Sequence, residues 1–337
     1  MITIYKMTPK RRLLSAIFGG RVDKIPVASA TSITNYEQEK LTNSYFPEAH
    51  CDGIKMAKLA AGGYEILGYD CIYPVFSVIT EAAALGAEIN WGDKENMPVV
   101  KKSIWKDPGE VVIPRDFLER PTTKAVLDAI RILRNKYGHA VAVFGKVMGP
   151  WTLSYHMYGV QETLMDSVAD PDKLREFMKK LKEVTVLFGK AQIAAGADII
   201  QISDHATGDM TSADTYRDFV LPFHKDLSQE IGCPTVLHIC GNTLDRIKYI
   251  VQSGFDCFHF DSKVDARDAV KAAAGNISLM GNINNPEVLL KGDTKTVAER
   301  TLYAIEAGVQ IVGPECAIPI KTPTENLIEI VKAANRN

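Results

Sequence analysis

The sequence lacks a long apolar run, a surplus of positive charge and any stretch of low complexity, and each absence excludes a class of protein. Its longest apolar runs, such as Ala140 to Phe144, are far shorter than the roughly 20 residues that cross a bilayer. Basic and acidic residues number 39 and 41, giving a net charge of -2, which predicts no nucleic-acid partner. Residues 1–10 hold no apolar segment followed by small residues, so we expect no signal peptide and a cytoplasmic location.

What is present is the composition of a globular protein, with 337 residues, of which 46% are hydrophobic and 24% charged. Because α/β barrels of this length usually form one domain, we expect a single domain over residues 1–337. The six cysteines form no CxxC pair, and no HExxH motif occurs. Without an export signal, reduced thiols or metal ligands are expected rather than disulfides.

Short apolar segments alternate with helical segments along the chain. Between the third and fourth apolar segments, Asp170 is placed to cap a helix that Pro171 begins and Gly196 ends. Helix, glycine and strand then repeat, which predicts parallel strands joined by crossover helices. The fold class predicted is a closed (β/α)8 TIM barrel, with an open doubly wound sheet as the alternative. The eight strand candidates are 25–29, 71–76, 140–146, 198–203, 234–239, 257–260, 277–281 and 309–313.

Residues 85–121 do not follow this alternation. The segment follows the second strand candidate, and it contains Trp91, Trp105 and the prolines Pro98, Pro108 and Pro114. Insertions of this length in α/β enzymes form lids or partner surfaces. We therefore predict an inserted lid or small hairpin within the barrel domain.

Polar residues follow the predicted strands, at the barrel end where reacting groups lie. His238 and Cys240 are two residues apart on one strand, so their side chains face the same way. Cys316 follows the eighth strand, and its loop can converge with theirs across the barrel mouth. One histidine and two cysteines suit zinc, and three protein ligands leave a fourth position open for a substrate. The alternative is that these are ordinary buried residues.

An open zinc site has two uses, activating water or holding a substrate thiol as thiolate. Two cysteine ligands donate charge and weaken zinc as a Lewis acid, which favours the thiol. Alkyl transfer to sulfur is therefore the predicted chemistry, and Asp261 is placed to fill the fourth position or to act beside it.

The residues also carry a family resemblance, from about residue 8 to the end. The opening of the chain resembles that of the uroporphyrinogen decarboxylase superfamily. Other motifs look like its branch of methylcobamide:coenzyme M methyltransferases, above all His238-Ile239-Cys240-Gly241-Asn242. The motifs that carry the resemblance are 8–14, 22–27, 47–50, 79–86, 149–152, 238–242, 281–282 and 315–316.

The resemblance implies a zinc ion held by His238, Cys240 and Cys316, and a methyl group passing from the cobalt of a corrinoid protein to a zinc-bound thiolate, with coenzyme M as acceptor. The family's acidic residue after strand six falls at Asp261, and Glu315 replaces a small residue beside the last cysteine. These two are the candidate catalytic residues. The chain carries no cobalamin module of its own, so a corrinoid-binding partner protein is expected. A homo-oligomer is left open.

Three alternatives accompany this reading. The first is a substrate-side corrinoid methyltransferase that demethylates a methoxylated compound or a methylamine, with Trp151 among the aromatic residues lining its pocket. The second is methyl transfer to tetrahydrofolate, whose pterin edge Asp204, Asn282 and Asn284 are placed to bind. The third, uroporphyrinogen decarboxylase itself, is disfavoured because 27–32 lacks the arginine that would pair porphyrin carboxylates.

Overall fold

The structure, a computed structural model, describes residues 6–336. Seven strands of the described residues form one curled sheet, which starts at Cys71–Ile72 and continues from Ala142–Met148 in chain order to Ile311–Pro314, and every neighbouring pair is parallel. The predicted α/β barrel architecture is thereby confirmed. The described strands are β1 (Cys71–Ile72), β2 (Ile89–Asn90), β3 (Val99–Val100), β4 (Ala142–Met148), β5 (Ile199–Ser203), β6 (Thr235–Ile239), β7 (Cys257–Phe260), β8 (Ser278–Ile283) and β9 (Ile311–Pro314).

The predicted first strand, 25–29, closes the ring between β9 and β1 through a single bridge instead of a strand. Val27 bridges Val312 in parallel, and the Asp70 amide donates to the Val27 carbonyl oxygen at 2.7 Å. Pairing on the β1 side of this segment is short because the Val27 amide donates to the side-chain carboxylate of Asp70, at 2.9 Å, and not to a backbone carbonyl. The closure is tight as well, since a Cβ at Gly313 would collide with the Ala28 carbonyl oxygen.

Helices pack around the sheet, and their ends follow the capping residues in the sequence. Asp170 accepts a hydrogen bond from the Lys173 amide, and Gly196 ends the long helix α8 with a φ of 114°. The described α-helices are α1 (Pro9–Ile17), α2 (Tyr36–Thr42), α3 (Gly53–Glu65), α4 (Thr80–Ala84), α5 (Pro121–Tyr137), α6 (Pro150–Met157), α7 (Val160–Ala169), α8 (Pro171–Ala195), α9 (Ala213–Thr215), α10 (Leu221–Glu230), α11 (Ile247–Ile250), α12 (Ala266–Ala273), α13 (Thr294–Ala307) and α14 (Thr324–Ala334).

Two elements differ from the sequence pattern because of proline. The second strand is predicted over 71–76 but pairs only at Cys71–Ile72, because Pro74 has no amide to donate. The helix predicted over 212–231 is interrupted by a π-turn at Tyr216–Val220, next to Pro222. None of the described helices combines the length and apolar character of a membrane span.

The inserted segment 85–121 contains a two-stranded antiparallel ribbon. Ile89 pairs with Val100 and Asn90 with Val99. The segment is joined to the barrel through the amides of Ile104 and Trp105, which both donate to the Met157 carbonyl oxygen at 3.0 Å. The Trp105 side chain is buried in the main core.

Candidate metal and substrate site

β6 and β9 bring His238, Cys240 and Cys316 together at the carboxyl end of the barrel. Cys240 directly follows β6, and Cys316 lies two residues after β9. The His238 Nε2 atom lies 3.0 Å from Cys240 Sγ and 3.4 Å from Cys316 Sγ, and the two sulfurs are 2.8 Å apart. One nitrogen and two sulfurs thus face a common point, with all three ligand atoms within 4.8 Å of one another.

The His238 ring is oriented by its other nitrogen. Nδ1 lies 3.2 Å from the His259 carbonyl oxygen on β7, and an N–H donated there leaves the Nε2 lone pair facing the sulfurs. His259 is fully buried, its Nε2 lies 2.8 Å from the Pro314 carbonyl oxygen, and burial holds its pKa well below the usual value. With its Nδ1 donating to the His259 carbonyl, the His238 imidazole presents Nε2 to the sulfurs, and an imidazole with one ring nitrogen free in this way is the form that binds a metal ion.

The two thiols are electrostatically linked. Contact with Cys240 and with His238 lowers the pKa of the Cys316 thiol well below its ordinary value, and the Cys316 sulfur in turn raises the pKa of Cys240. Without a cation one sulfur carries the charge and the other keeps the proton, because two thiolates in contact repel each other. A divalent cation would remove that conflict, so the donor set fits a soft metal such as zinc.

A cavity of about 300 Å³ opens over the three residues. A larger surface depression of about 510 Å³ lies elsewhere, around Tyr36 and Lys94, and its lining holds neither histidine nor cysteine. The cavity over the cluster is mostly apolar with a few convergent polar groups, as substrate sites are. It is lined by Thr31, Ser32, Phe76, Val78, Lys146, Met148, Thr152, Tyr155, His156, Val160, Ser203, Asp204, His205, His238, Cys240, Cys316 and Ala317.

Of the four predicted substrate-binding residues, Asp204 lines this cavity. Its carboxylate accepts from the Thr152 amide at 2.7 Å and lies 3.0 Å from His224 Nε2, so both oxygens already have partners. Trp151 is fully buried behind the wall, where its Nε1 donates to the Tyr155 hydroxyl at 2.6 Å. Trp151 therefore supports a lining residue and does not itself line the cavity.

The structure does not bring Asn282 and Asn284 to the cavity. Both line a separate depression of about 370 Å³ beside β8. Asn282 donates to the Val264 carbonyl oxygen at 2.8 Å, and Asn284 accepts from the Glu287 amide at 2.7 Å. Asn284 is thus the N-terminal cap of the turn after β8.

The two candidate catalytic carboxylates bind backbone amides of the loops around the three candidate metal ligands. Asp261 accepts from the amide of Gly241, at 2.8 Å, next to Cys240. Glu315 is buried and accepts from the amides of Ser262, at 3.0 Å, and Asn285, at 2.7 Å. Burial raises the pKa of Glu315. Neither residue lines the cavity, so their contacts fix the positions of the ligand-bearing loops.

Three residues at or near the cavity, of which two are buried and His156 is half-buried, were not predicted from the sequence. Lys146 lies in the cavity wall and donates to the Ser77 carbonyl oxygen at 3.0 Å, and burial lowers its pKa to about 8. Glu81 accepts from the Met148 amide, and burial raises its pKa to about 7. Burial lowers the pKa of His156 to about 4, and its Nδ1 has no hydrogen-bond partner. The available signal was a lysine within the otherwise apolar strand Ala142–Met148.

Comparison with known proteins identifies the family. Residues 8–337 match the family described as uroporphyrinogen decarboxylase (URO-D), and the chain belongs to it. The resemblance predicted from the motifs is therefore confirmed.

Two relatives and one solved structure are similar to nearly the whole chain. The chain is 36% identical to a methylated-thiol–coenzyme M methyltransferase of Methanosarcina mazei, over 98% of this chain and 90% of the relative. It is 33% identical to the methylcobamide:CoM methyltransferase MtaA of Methanosarcina barkeri, over 97% and 98%. A solved methyltransferase structure from Methanosarcina mazei superposes with a TM-score of 0.95 at 31% identity, covering 98% of this chain and 99% of that one.

Proposed function

We propose that this protein transfers a methyl group from a methylated corrinoid, carried by a partner protein, to the sulfur of coenzyme M. The observation that carries the proposal is the cluster of His238, Cys240 and Cys316 in the cavity wall. Both relatives are named as methyltransferases that act on coenzyme M, and the name of the second gives methylcobamide as the donor.

The predicted zinc ion would be held by these three side chains. When bound, it supplies a positive centre that keeps an alkyl thiol deprotonated near neutral pH. The chain contributes the orientation of His238 through the His259 carbonyl and the placement of Cys240 and Cys316 by their loops. The three protein ligands leave room for one more, which suits the acceptor sulfur.

The reaction balances without an added oxidant or reductant. The acceptor sulfur loses its proton to solvent and forms a bond to the methyl carbon. The cobalt–carbon bond breaks, and its electron pair stays on the corrinoid. The apolar side chains of Phe76 and Met148 form part of the cavity wall, and an apolar wall lowers the local dielectric and strengthens the electrostatic interactions within the site.

The mouth of the cavity supports a corrinoid supplied from outside. Val78 and Val160 line the cavity and are also exposed, each at 44%. A corrinoid-carrying partner that docks at this mouth would cover both apolar side chains.

The cavity gives no support to decarboxylation of a porphyrinogen. Its lining contains Lys146 as the only lysine or arginine, whereas a porphyrinogen carries several carboxylates. At about 300 Å³ it is also at the small end of ligand cavities.

The test is thiol-dependent demethylation of free methylcobalamin, followed by its absorbance, together with zinc analysis. The wild-type protein is expected to hold about one zinc per chain and to demethylate methylcobalamin with coenzyme M. Cys316→Ser should lose most of both, while Cys51→Ser, at an exposed free cysteine, should keep both. Zinc-loaded protein that demethylates methylcobalamin with no thiol would contradict the proposal, and turnover with tetrahydrofolate alone would favour the pterin alternative.

A further inference from the structure

The cavity holds one strong cation away from the metal ligands, the side chain of Lys146. This residue is the fifth of β4, whose seven residues are all buried. Only 5% of its surface is exposed, and its ammonium group donates to the Ser77 carbonyl oxygen. No ion pair within 4.0 Å involves it among the side chains of residues 6–336. A buried ammonium group with one protein acceptor has donors left for a ligand.

Glu81 compensates this charge only partly. Burial lowers the pKa of Lys146, and the charge of the Glu81 carboxylate acts in the opposite direction and raises it. Burial raises the pKa of Glu81 itself to about 7, and its Oε1 is occupied by the Met148 amide. Near neutral pH, Glu81 therefore carries only part of a charge, and the cavity side of Lys146 faces no other carboxylate than Asp204, which is engaged elsewhere.

His156 is a second polar residue in the wall of the same cavity. Its Nδ1 atom is buried and has no hydrogen-bond partner, although the residue lines the cavity. The charge of Lys146 lowers the pKa of His156, after burial, so the two groups lie within electrostatic reach. Buried polar atoms normally have a hydrogen-bond partner, so this atom is expected to bind a ligand or a water molecule. Lys146 and His156 are thus two groups able to bind the same occupant.

Lys146 lines the same cavity as His238, Cys240 and Cys316, at a separate part of the wall carried by β4. A ligand whose sulfur lies at the His238–Cys240–Cys316 cluster would therefore extend its other end toward a cation. An anionic tail there would pair with Lys146, whereas a neutral tail would leave that charge uncompensated.

We infer that Lys146, assisted by His156, is the specificity-determining group that binds the anionic tail of the acceptor thiol. The inference rests on the proposed function, since it names the end of the acceptor that does not react. The ligand chemistry is a short alkyl thiol ending in a sulfonate or a carboxylate.

The experiment compares three thiols with methylcobalamin as donor: 2-mercaptoethanesulfonate, 3-mercaptopropionate and neutral 2-mercaptoethanol. For Lys146→Met, we expect kcat/KM for the anionic thiols, relative to the neutral thiol, to fall by about 10- to 100-fold, the worth of one charged hydrogen bond. Lys146→Arg should keep part of the preference. The same methionine change at Lys190, exposed on α8, is the matched control and should leave the ratio unchanged.

Binding is measured as well, by calorimetry with ethanesulfonate, which has the tail but no thiol. Wild-type protein should bind it more tightly than Lys146→Met does, whatever the metal content. Equal binding, or an unchanged thiol preference in a folded Lys146→Met protein, would overturn the inference. Wild-type protein that turns over with none of the thiols would refute the proposed function instead, and the ethanesulfonate measurement would still decide the role of Lys146.

Discussion

Removing the Glu315 carboxylate should destabilise the fold and loosen the loop that carries Cys316. Glu315 accepts hydrogen bonds from the amides of Ser262 and Asn285, at 3.0 and 2.7 Å, and it is 6% exposed. The Asn285 side chain in turn donates to the Cys316 carbonyl oxygen at 3.0 Å. In Glu315→Ala, two amides lose their acceptor at a cost of about 1–3 kcal/mol for each buried group. Because the Ser262 amide is only partly buried, we expect a loss of about 2–4 kcal/mol.

The assay is urea unfolding followed by circular dichroism, in a chelator so that zinc does not contribute to stability. Glu315→Gln keeps one acceptor oxygen and should lose less than Glu315→Ala. Glu306→Ala, at an exposed carboxylate of α13, should change the free energy of unfolding by no more than about 0.5 kcal/mol. If Glu315→Ala is as stable as wild type and retains full zinc affinity, the assignment of Glu315 as a positioning residue is wrong.

Two further perturbations test the interior of the barrel. The pKa of Glu81 is about 7 in the folded protein, above its ordinary value of 4.5, so its contribution to stability is complete below pH 4.5 and is lost as pH rises through 7. Glu81→Gln should remove this fall in the free energy of unfolding, of at most about 3 kcal/mol, between pH 4.5 and 7.5. A fall that is unchanged in the variant would contradict the assignment of the raised pKa to Glu81. Gly313→Ala should lower the free energy of unfolding by at least about 2 kcal/mol, because its Cβ would collide with the Ala28 carbonyl oxygen; a wild-type denaturant midpoint would exclude this tight closure.

Much of the fold follows from local patterns in the sequence. Glycine after a helix, as at Gly196, and an aspartate–proline start, as at Asp170, are decided within a few residues, so the sequence predicts them. The closing segment 25–29 was less predictable. Its strand is reduced to one bridge because the Asp70 side chain takes the Val27 amide, a contact between residues 43 positions apart.

Part of the site, like part of the fold, could be predicted from local sequence, and part depends on residues that are distant in the chain. The spacing of His238 and Cys240 on one strand predicts that they act together, whereas their partner Cys316 comes from chemical reasoning and the family resemblance. Asn284 follows a strand at the barrel rim, but the Asn-x-x-Glu spacing to Glu287 is a helix-cap signal, and the structure shows that cap.

Lys146 illustrates what sequence patterns leave out. A strand pattern assigns its residues to core or solvent, and a lysine within Ala142–Met148 fits neither class. Its surroundings come from distant segments: Ser77 supplies the hydrogen-bond acceptor, and Glu81 and His156 the neighbouring ionisable groups. Only the folded chain shows that Lys146 and His156 share one cavity with His238, Cys240 and Cys316.

The most direct test of the central claim is zinc X-ray absorption spectroscopy, before and after addition of coenzyme M. We predict two sulfur ligands near 2.3 Å and one histidine nitrogen in the resting protein, with a third sulfur after the thiol is added, as roughly expected for these ligand types. In Cys316→Ser, the resting count should fall to one sulfur or the zinc should be lost. An unchanged sulfur count on adding the thiol, in protein that holds zinc, would contradict the claim that this site binds the acceptor sulfur.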